Sequence, residues 1–199
     1  IMGRGPRYRV AMRRRREGRT NYQRRLKMVL SGKPRLVIRS TLKTMIVQIA
    51  EAKIDGDIII AAADSKELKK KFDWKYNPGN MPSAYLTGYL CGLRATKTDV
   101  KTCILDIGIM IHKNRVLSAF RGFLDASGIE VPYKDKFFKK ANLDGRINGE
   151  HIENYAKMLS KDDKETYEKK FSKYIANKAD PKKIVKNFEK TKKLIEKEV

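Results

Sequence analysis

PRLVIRSTLKTMIVQIAEAKIDGDIIIAAAD, residues 34–64, is the stretch that decides the fold. It contains three runs rich in β-branched residues, at 35–40, at 44–50 with a continuation to Ile54, and at 57–63. Such runs favour strands. The pair Asp55-Gly56 between the last two runs is a strong hairpin signal, because a type I′ turn needs positive φ at both positions. The stretch therefore predicts a three-stranded antiparallel meander with a type I′ turn at Asp55-Gly56.

Beyond the meander, helical periodicity alternates with one more strand-like run. The sequence predicts a loop at 77–80, a strand at 103–107 and a basic loop at 112–115. The last core helix ends at Gly128, a residue type suited to a helix C-terminus. The predicted helices cover residues 64–72, 82–96 and 116–127. Strands, then helices, then a strand and a helix make an α/β domain whose mixed sheet is packed with helices.

The helix predicted at 82–96 has two distinct ridges. Its apolar stripe contains Leu86, Tyr89, Leu90 and Leu93, and its ridge of small residues contains Ala84, Gly88, Gly92 and Ala95. Glycine inside a helix costs roughly 1 kcal/mol relative to alanine. Two of them indicate a close approach to another backbone, and we expect this helix to lie tightly on the sheet.

Positive charge is the dominant feature of the composition. The formal net charge is +23, and residues 1–35 contain 13 basic residues against one acidic residue, Glu17. Eleven of those 13 are arginines, whose planar guanidinium grips phosphate with paired hydrogen bonds. Tyr8 and Tyr22 are interleaved and offer stacking faces to bases. We expect residues 1–33 to form an Arg-rich arm that orders on RNA, with a merely solubilising or nuclear-targeting tail as the alternative.

A membrane is the other large polyanion that such a charge can meet. No apolar run approaches the ~20 residues of a spanning helix. A signal-peptide core and a lipidation motif are also missing from the given sequence. We therefore expect a nucleic-acid partner and no membrane partner. Hydrophobic residues make up 41% of the chain, enough for a folded core.

The C-terminal third changes from arginine to lysine. The sequence divides into the arm, an α/β core domain at 34–133 and a Lys-rich helical extension at 134–199. Helices are predicted in this extension at about 149–159, 164–176 and 181–197. Pro181 suits the first turn of the last one. The lysines indicate either a solvated helix face or a contact with RNA, and the sequence leaves both open.

Side chains for catalysis or metal binding are sparse. Cys91 and Cys103 lie in apolar surroundings, which suits buried thiols in a reducing cytosol. The two histidines, His112 and His151, form no zinc-binding spacing. Carboxylates are scattered rather than clustered, and a turn or capping role is favoured for Asp106 over a catalytic one. No catalytic residue, metal, cofactor or small-molecule substrate is expected; a small nuclease and a chromatin-type compacting protein are the rival functions.

Several motifs resemble one known family. RRRREGRTNY at 13–22 is similar to the RRRREG(K/R)T(D/N)Y signature of ribosomal protein L eighteen in its archaeal and eukaryotic form. Further matches follow in order along nearly the whole chain: VQIA at 47–50 with GD at 56–57, AYLTG at 84–88, LDIG at 105–108, RG at 121–122, DA at 125–126, GI at 128–129, VP at 131–132 and YEKKFSKYI at 167–175. Leu42 departs from the family, which often has Asn there.

This resemblance implies a specific role. The family has a core similar to the ribonuclease H topology without its catalytic acids. It binds 5S rRNA and attaches it, with a companion 5S rRNA-binding ribosomal protein, to large-subunit rRNA at the central protuberance of the cytoplasmic ribosome. The arm, the loop at 40–44 and the basic loop at 113–115 are the contact regions that the resemblance implies.

Together these patterns predict a non-enzymatic, rRNA-binding constituent of the large ribosomal subunit. Its partners would be 5S rRNA, large-subunit rRNA and neighbouring ribosomal proteins. The candidate RNA-binding residues are Arg4, Arg7, Tyr8, Arg9, Arg13, Arg14, Arg15, Arg16, Arg19, Tyr22, Arg24, Arg25, Lys27, Lys33, Arg35, Ser40, Thr41, Lys43, Lys113, Asn114 and Arg115.

Overall fold

The computed structural model describes residues 5–6, 8–109, 114–134, 136–139 and 143–198. The strands are β1 Arg35–Ser40, β2 Met45–Ala52, β3 Asp57–Asp64 and β4 Ile104–Asp106. The helices are α1 Arg13–Arg16, α2 Tyr22–Leu30, α3 Ser65–Lys71, α4 Met81–Thr96, α5 Asn114–Ser127, α6 Lys136–Lys139, α7 Asp144–Ile147, α8 Glu150–Asp162, α9 Lys164–Ala176 and α10 Ile184–Glu198, with a 3₁₀ turn at Pro181–Lys183. Within these ranges, no helix has the length and apolar character needed to cross a bilayer.

The four strands form one mixed sheet in the order β3-β2-β1-β4. β2 pairs antiparallel with both β1 and β3, whereas β4 runs parallel to β1. Leu36 and Ile38 are fully buried, and α5 packs against β1. Successive side chains on a strand point to opposite faces, so Arg35 and Arg39 lie on the other face. The predicted meander and the α/β class are confirmed, while the likeness to ribonuclease H stays a prediction.

The hairpin at Asp55-Gly56 is present, but its turn is not type I′. The loop has four residues, 53–56, and Lys53 and Gly56 exchange backbone hydrogen bonds of 3.2 and 3.3 Å. Its central residues are therefore Ile54 and Asp55, and of the loop residues only Gly56 has a positive φ, 148°. The predicted turn type is wrong, because the register of β2 and β3, which shifts between Ile49 and Ala50, places the tight turn one residue closer to the N-terminus.

Helices α4 and α5 contact each other through their backbones. A Cβ on Gly88 would lie 1.9 Å from the carbonyl oxygen of Ala119, and one on Gly122 would lie 2.1 Å from that of Tyr85. The predicted close approach is confirmed, but its partner is α5 and not the sheet. The contact is reciprocal, because a glycine on each helix faces a backbone carbonyl of the other. The ridge of one helix therefore fits the groove of its partner.

Side-chain caps set the starts of the core helices. The Asp64 side chain accepts a hydrogen bond from Lys66 N at 2.9 Å, and Glu67 accepts one from Asp64 N at 3.1 Å, which makes a capping box for α3. Asn80 accepts from Ser83 N at 2.9 Å and starts α4. These caps explain why the predicted starts at 64 and 82 lie within one residue of those observed.

The C-terminal segment packs onto the α/β core. The three helices predicted there correspond to α8, α9 and the 3₁₀ turn followed by α10. Ile184, Phe188 and Ile195 belong to the same hydrophobic cluster as the sheet and the α4–α5 pair. The Tyr89 hydroxyl donates to Glu196 at 2.8 Å. The extension therefore shares a core with residues 34–133, and the boundary at 133/134 stays a prediction.

Both cysteines lie inside this core. Cys91 and Cys103 are fully buried and carry free thiols. Burial raises the pKa of each thiol to about 12, because a low-dielectric interior disfavours the thiolate. The predicted apolar surroundings of both residues are confirmed.

Candidate nucleic-acid interface

The arm presents its cations to solvent. No residue of α1 or α2 is buried. Arg4 and Arg7 lie outside the described residues. The other predicted arm contacts all have exposed side chains: Tyr8, Arg9, Arg13, Arg14, Arg15, Arg16, Arg19, Tyr22, Arg24, Arg25, Lys27 and Lys33. The described part of the arm therefore forms two short helices without buried residues, and its ordering on RNA stays a prediction.

Local hydrogen bonds give the arm a defined bend. Gly18, at φ 62°, separates α1 from α2, so the arm is not one continuous helix. Arg14 Nε donates to Thr20 Oγ1 at 3.0 Å across this bend. The Asn21 side chain then accepts from Arg24 N at 3.0 Å and starts α2. The bend brings arginines of α1 and α2 to one side.

A cleft of about 210 Å³ lies between the arm and the edge of the sheet where β4 ends. We call it the arginine cleft, after the arginines that line it: Arg14, Arg19, Arg24, Arg25 and Arg39. Among its described lining residues, Asp106 is the acidic one. Several guanidinium groups around one carboxylate leave a net positive site, and guanidinium binds phosphate oxygens through strong charge-assisted hydrogen bonds.

Arg39 and Asp106 form the floor of the arginine cleft. Arg39 Nη2 donates to Asp106 Oδ1 at 2.9 Å, and Nη1 donates to the Asp106 carbonyl at 2.6 Å. Gly108 N also donates to Oδ1, at 2.9 Å, so the expected turn role of Asp106 is confirmed. Arg39 is not among the residues predicted to contact RNA. Its signal was the spacing: Arg35 and Arg39 are four residues apart and so share one face of β1.

Arg35 has a structural position rather than an exposed one. It is 3% exposed, and its guanidinium donates to Asp57 at 2.6 Å and to Asp106 at 3.3 Å. The prediction that Arg35 contacts RNA therefore does not fit its buried position. A buried cation must be paired, and these two carboxylates neutralise it inside the fold. Asp57 also accepts from Arg25 at 3.0 Å, which ties the arm to the sheet.

The loop after β1 is short and exposed. Thr41 N donates to the Thr44 carbonyl at 2.9 Å and closes the loop. Thr41 and Lys43 are exposed, and Ser40 is half-buried at the end of β1. Leu42, at 89% exposure, points to solvent. This loop follows Arg39 by two residues, so it lies at the same end of β1 as the arginine cleft.

Only the second half of the predicted basic loop at 112–115 lies within the described residues, and it belongs to a helix. Asn114 and Arg115 form the first turn of α5, while Lys113 and His112 lie outside the described residues. Arg115 donates to the carbonyls of Thr41 at 3.1 Å and Gly79 at 3.0 Å. Its guanidinium therefore holds two loops together, and Asn114 is the more exposed of the pair.

Carboxylates of the core have structural partners. Asp57 and Asp106 pair with arginines, and Asp64 caps α3. Asp125 accepts from Tyr85 at 2.9 Å, and burial together with this bond raises the pKa of Tyr85. Asp55 lies in the exposed hairpin loop. Within the described ranges, no three acidic, histidine or cysteine side chains are grouped as metal ligands.

Comparisons with known proteins agree on one family. The family described as "Ribosomal large subunit proteins 60S L5, and 50S L18" matches residues 6–102. Large ribosomal subunit protein uL18 of Staphylothermus marinus is 49% identical, with 98% of this chain and 95% of the relative covered. The uL18 proteins of Aeropyrum pernix and Thermofilum pendens are 46% and 45% identical, each over 98% of this chain, and over 90% and 98% of their own lengths.

Proposed function

Because this chain belongs to the uL18 family of large ribosomal subunit proteins, we propose that it is a non-enzymatic constituent of that subunit. It binds 5S rRNA and helps attach it to large-subunit rRNA at the central protuberance. The proposal includes a companion 5S rRNA-binding protein and neighbouring ribosomal proteins as partners. Its place of action is the ribosome in the cytoplasm.

One observation carries the proposal for RNA: the arginine cleft joins an exposed, cationic arm to a folded edge of the sheet. The arm supplies guanidinium groups whose positions are set by the bend at Gly18, and the sheet supplies Arg39, held by Asp106. Phosphate contacts fix the register of an RNA, and the folded surface reads its shape. A basic tail without this packing would lack such a fixed arrangement.

The proposed contact surface follows from exposure. It consists of the arm residues, Arg39, and the exposed Thr41, Lys43 and Asn114, with Ser40 and Arg115 at its edge. Arg35 contributes to the fold instead, since both of its carboxylate partners are inside the protein. Arg4, Arg7 and Lys113 complete the set on the grounds of the sequence.

A filter-binding titration of 5S rRNA tests the proposal, with tRNA and duplex DNA as competitors. Preferential retention of 5S rRNA is expected. Equal competition by all three nucleic acids would favour the chromatin-type reading and contradict specific recognition. Incubating 5S rRNA with the protein and Mg²⁺ tests the nuclease alternative. The RNA is expected to stay intact.

Salt dependence measures the phosphate contribution. If about eight phosphates are contacted, log K should fall with log[salt] at a slope of roughly −6 to −7. Replacing Arg13, Arg14, Arg15 and Arg16 by Ala should flatten the slope by roughly 3, if each contacts one phosphate. The matched control replaces four exposed lysines of α10 by Ala: Lys186, Lys190, Lys193 and Lys197. An equal change in both variants would contradict a localised contact through the arm.

A further inference from the structure

A second cleft lies on the C-terminal helices, away from the arginine cleft. Its volume is about 870 Å³, within the range of ligand-binding clefts. Residues of α8 and α9 form its walls, together with Lys69 of α3, the loop at 76–78 and Lys43 from the loop after β1. We call it the lysine cleft.

The charge of the lysine cleft has one sign. Its lysines are Lys43, Lys69, Lys169, Lys170 and Lys173, and none of its described lining residues is acidic. Lys169 pairs with Glu165 outside the lining, at 2.8 Å. Lys43, Lys69 and Lys173 have no ion-pair partner within the described ranges. Unneutralised ammonium groups around one concave surface attract a polyanion.

Aromatic rings give the lysine cleft a second recognition feature. Tyr155 and Tyr174 line it and are half-buried. The buried ring of Phe171, which also lines the cleft, packs against both, with ring centroids 6.3 and 5.8 Å away. Lys170 Nζ lies 5.1 Å from the centroid of the Tyr155 ring and donates to its hydroxyl at 2.5 Å. Packing therefore fixes a tyrosine beside cations, an arrangement suited to an unstacked base and its phosphates.

We propose that the lysine cleft binds a single-stranded segment of RNA, with the lysine ammonium groups on phosphates and the Tyr155 ring stacked on a base. The inference deepens the proposed function by adding a second RNA site on the same chain. Lys43 gives the connection, because it belongs both to the lysine cleft and to the loop beside the arginine cleft. An acidic peptide would use the charge but has no use for a supported aromatic face.

Charge reversal in the full chain is the first test. Lys69→Glu with Lys173→Glu should weaken binding of a short oligouridine, measured in an Arg13–Arg16→Ala background that reduces binding by the arm. The salt slope should flatten by roughly 1.4, since each single-strand phosphate contact contributes about 0.7. Lys186→Glu with Lys193→Glu, two exposed lysines of α10, is the control with the same charge change. Equal weakening in both pairs would overturn the site.

Removal of the aromatic face is the second test. Tyr155→Leu should weaken oligouridine binding by roughly fivefold to a hundredfold at an unchanged salt slope, because stacking involves no counterion release. Tyr155→Phe keeps the ring and should retain most of the affinity. Circular dichroism of each variant establishes that the fold is intact. Equal losses in the two variants would overturn the stacking role.

Crosslinking locates the strand directly. Oligouridine carrying thiouridine should crosslink, under ultraviolet light, to peptides that contain Tyr155 or residues 164–177 as well as to the arm. Crosslinks confined to the arm, or displacement of the strand by polyglutamate at equal charge concentration, would overturn the proposal. Failure here with preferential 5S rRNA retention intact leaves the proposed function standing. Loss of that preference, together with crosslinks in the lysine cleft, would support the cleft as an RNA site and contradict the proposed function.

Discussion

The arm and the α4–α5 helix pair differ in both charge and burial. Residues 1–35 have a net charge of +12, and no residue of α1 or α2 is buried. In the helix pair, by contrast, Gly88 and Gly122 allow backbones to contact each other. The arm therefore contributes charge with little packing, and the pair contributes packing with little charge. From this difference we expect that affinity for a polyanion and stability of the fold can be varied separately.

Charged side chains inside the core are neutralised by ion pairs. Arg35 is buried between Asp57 and Asp106. The same two carboxylates hold Arg25 and Arg39, which are partly exposed. Asp57 and Asp106 therefore connect the core to the arginine cleft, and the separation between the two regions is not complete at this point.

The largest expected effect lies in the helix pair. Gly88→Ala places a Cβ where the Ala119 carbonyl oxygen already lies, 1.9 Å away. Because both groups are backbone-anchored, the helices must move apart, and we expect a loss of about 3 kcal/mol or more in the free energy of unfolding. Urea denaturation followed by circular dichroism measures it.

Gly145→Ala is the control for that substitution. A Cβ at Gly145 would find its nearest heavy atom, Glu150 Oε2, at 3.7 Å. Alanine has the higher helix propensity, so a gain of up to about 1 kcal/mol is expected. Similar losses in both variants would mean that the close approach in the helix pair is not what the fold depends on.

A smaller loss is expected at the buried ion pairs. Asp106→Asn removes one of the two carboxylates around Arg35, and Asp57 still neutralises part of its charge. We expect the free energy of unfolding to fall by about 2–3 kcal/mol. Asp55→Asn, in the exposed hairpin loop, removes the same charge and should change stability by less than about 0.5 kcal/mol. Equal effects would show that net charge, and not pairing, governs the core.

The smallest expected effect is on the pH dependence of stability, through the carboxyl group of Glu67. Burial raises the pKa of Glu67, but hydrogen bonds from Arg94 and the Asp64 backbone outweigh it and hold this pKa below 4.5. A lowered carboxyl pKa stabilises the fold above its unfolded value and loses that stabilisation as pH falls through the folded value. Glu67→Gln should therefore cost about 1 kcal/mol at neutral pH.

Thermal unfolding of the Glu67→Gln variant across pH checks that sign. The difference in Tm from the unmodified chain should shrink as pH falls below 4.5. Glu165→Gln, which removes an exposed carboxylate paired with Lys169, should leave Tm unchanged at both ends of the pH range. A difference that grows on acidification would contradict the assignment.

Local signals predicted the elements well, because strands, caps and helix periods depend on neighbouring residues. The meander and the six predicted helices needed no tertiary information, whereas α1, α2, α6 and α7 were not predicted. The prediction of a type I′ turn at Asp55-Gly56 is wrong because the position of a turn depends on the register of the two paired strands. Gly88 was correctly read as a close contact, but its partner lies some thirty residues away along the chain, which spacing alone does not identify.

The candidate site was predictable in its arm and less so on the sheet. Exposure of the arm follows from its high proportion of arginines, which leaves too little apolar surface for a core of its own. Arg35 and Arg39 carry the same charge on the same strand, yet one is buried between two carboxylates and the other lines the cleft. Asp106 pairs with both arginines, and Asp57 pairs only with Arg35 of the two, which the local sequence does not reveal. The lysine cleft likewise arises where α3, α8 and α9 meet, and no local motif marks it.

Deletion of residues 1–25 tests most directly whether affinity and fold reside in separate regions. The truncated chain should keep the circular dichroism signature of its core and its cooperative unfolding. Its affinity for 5S rRNA should fall by several kcal/mol and its salt slope should flatten, since all ten arginines of the arm are lost. An unfolded core, or unchanged affinity for 5S rRNA, would contradict this division.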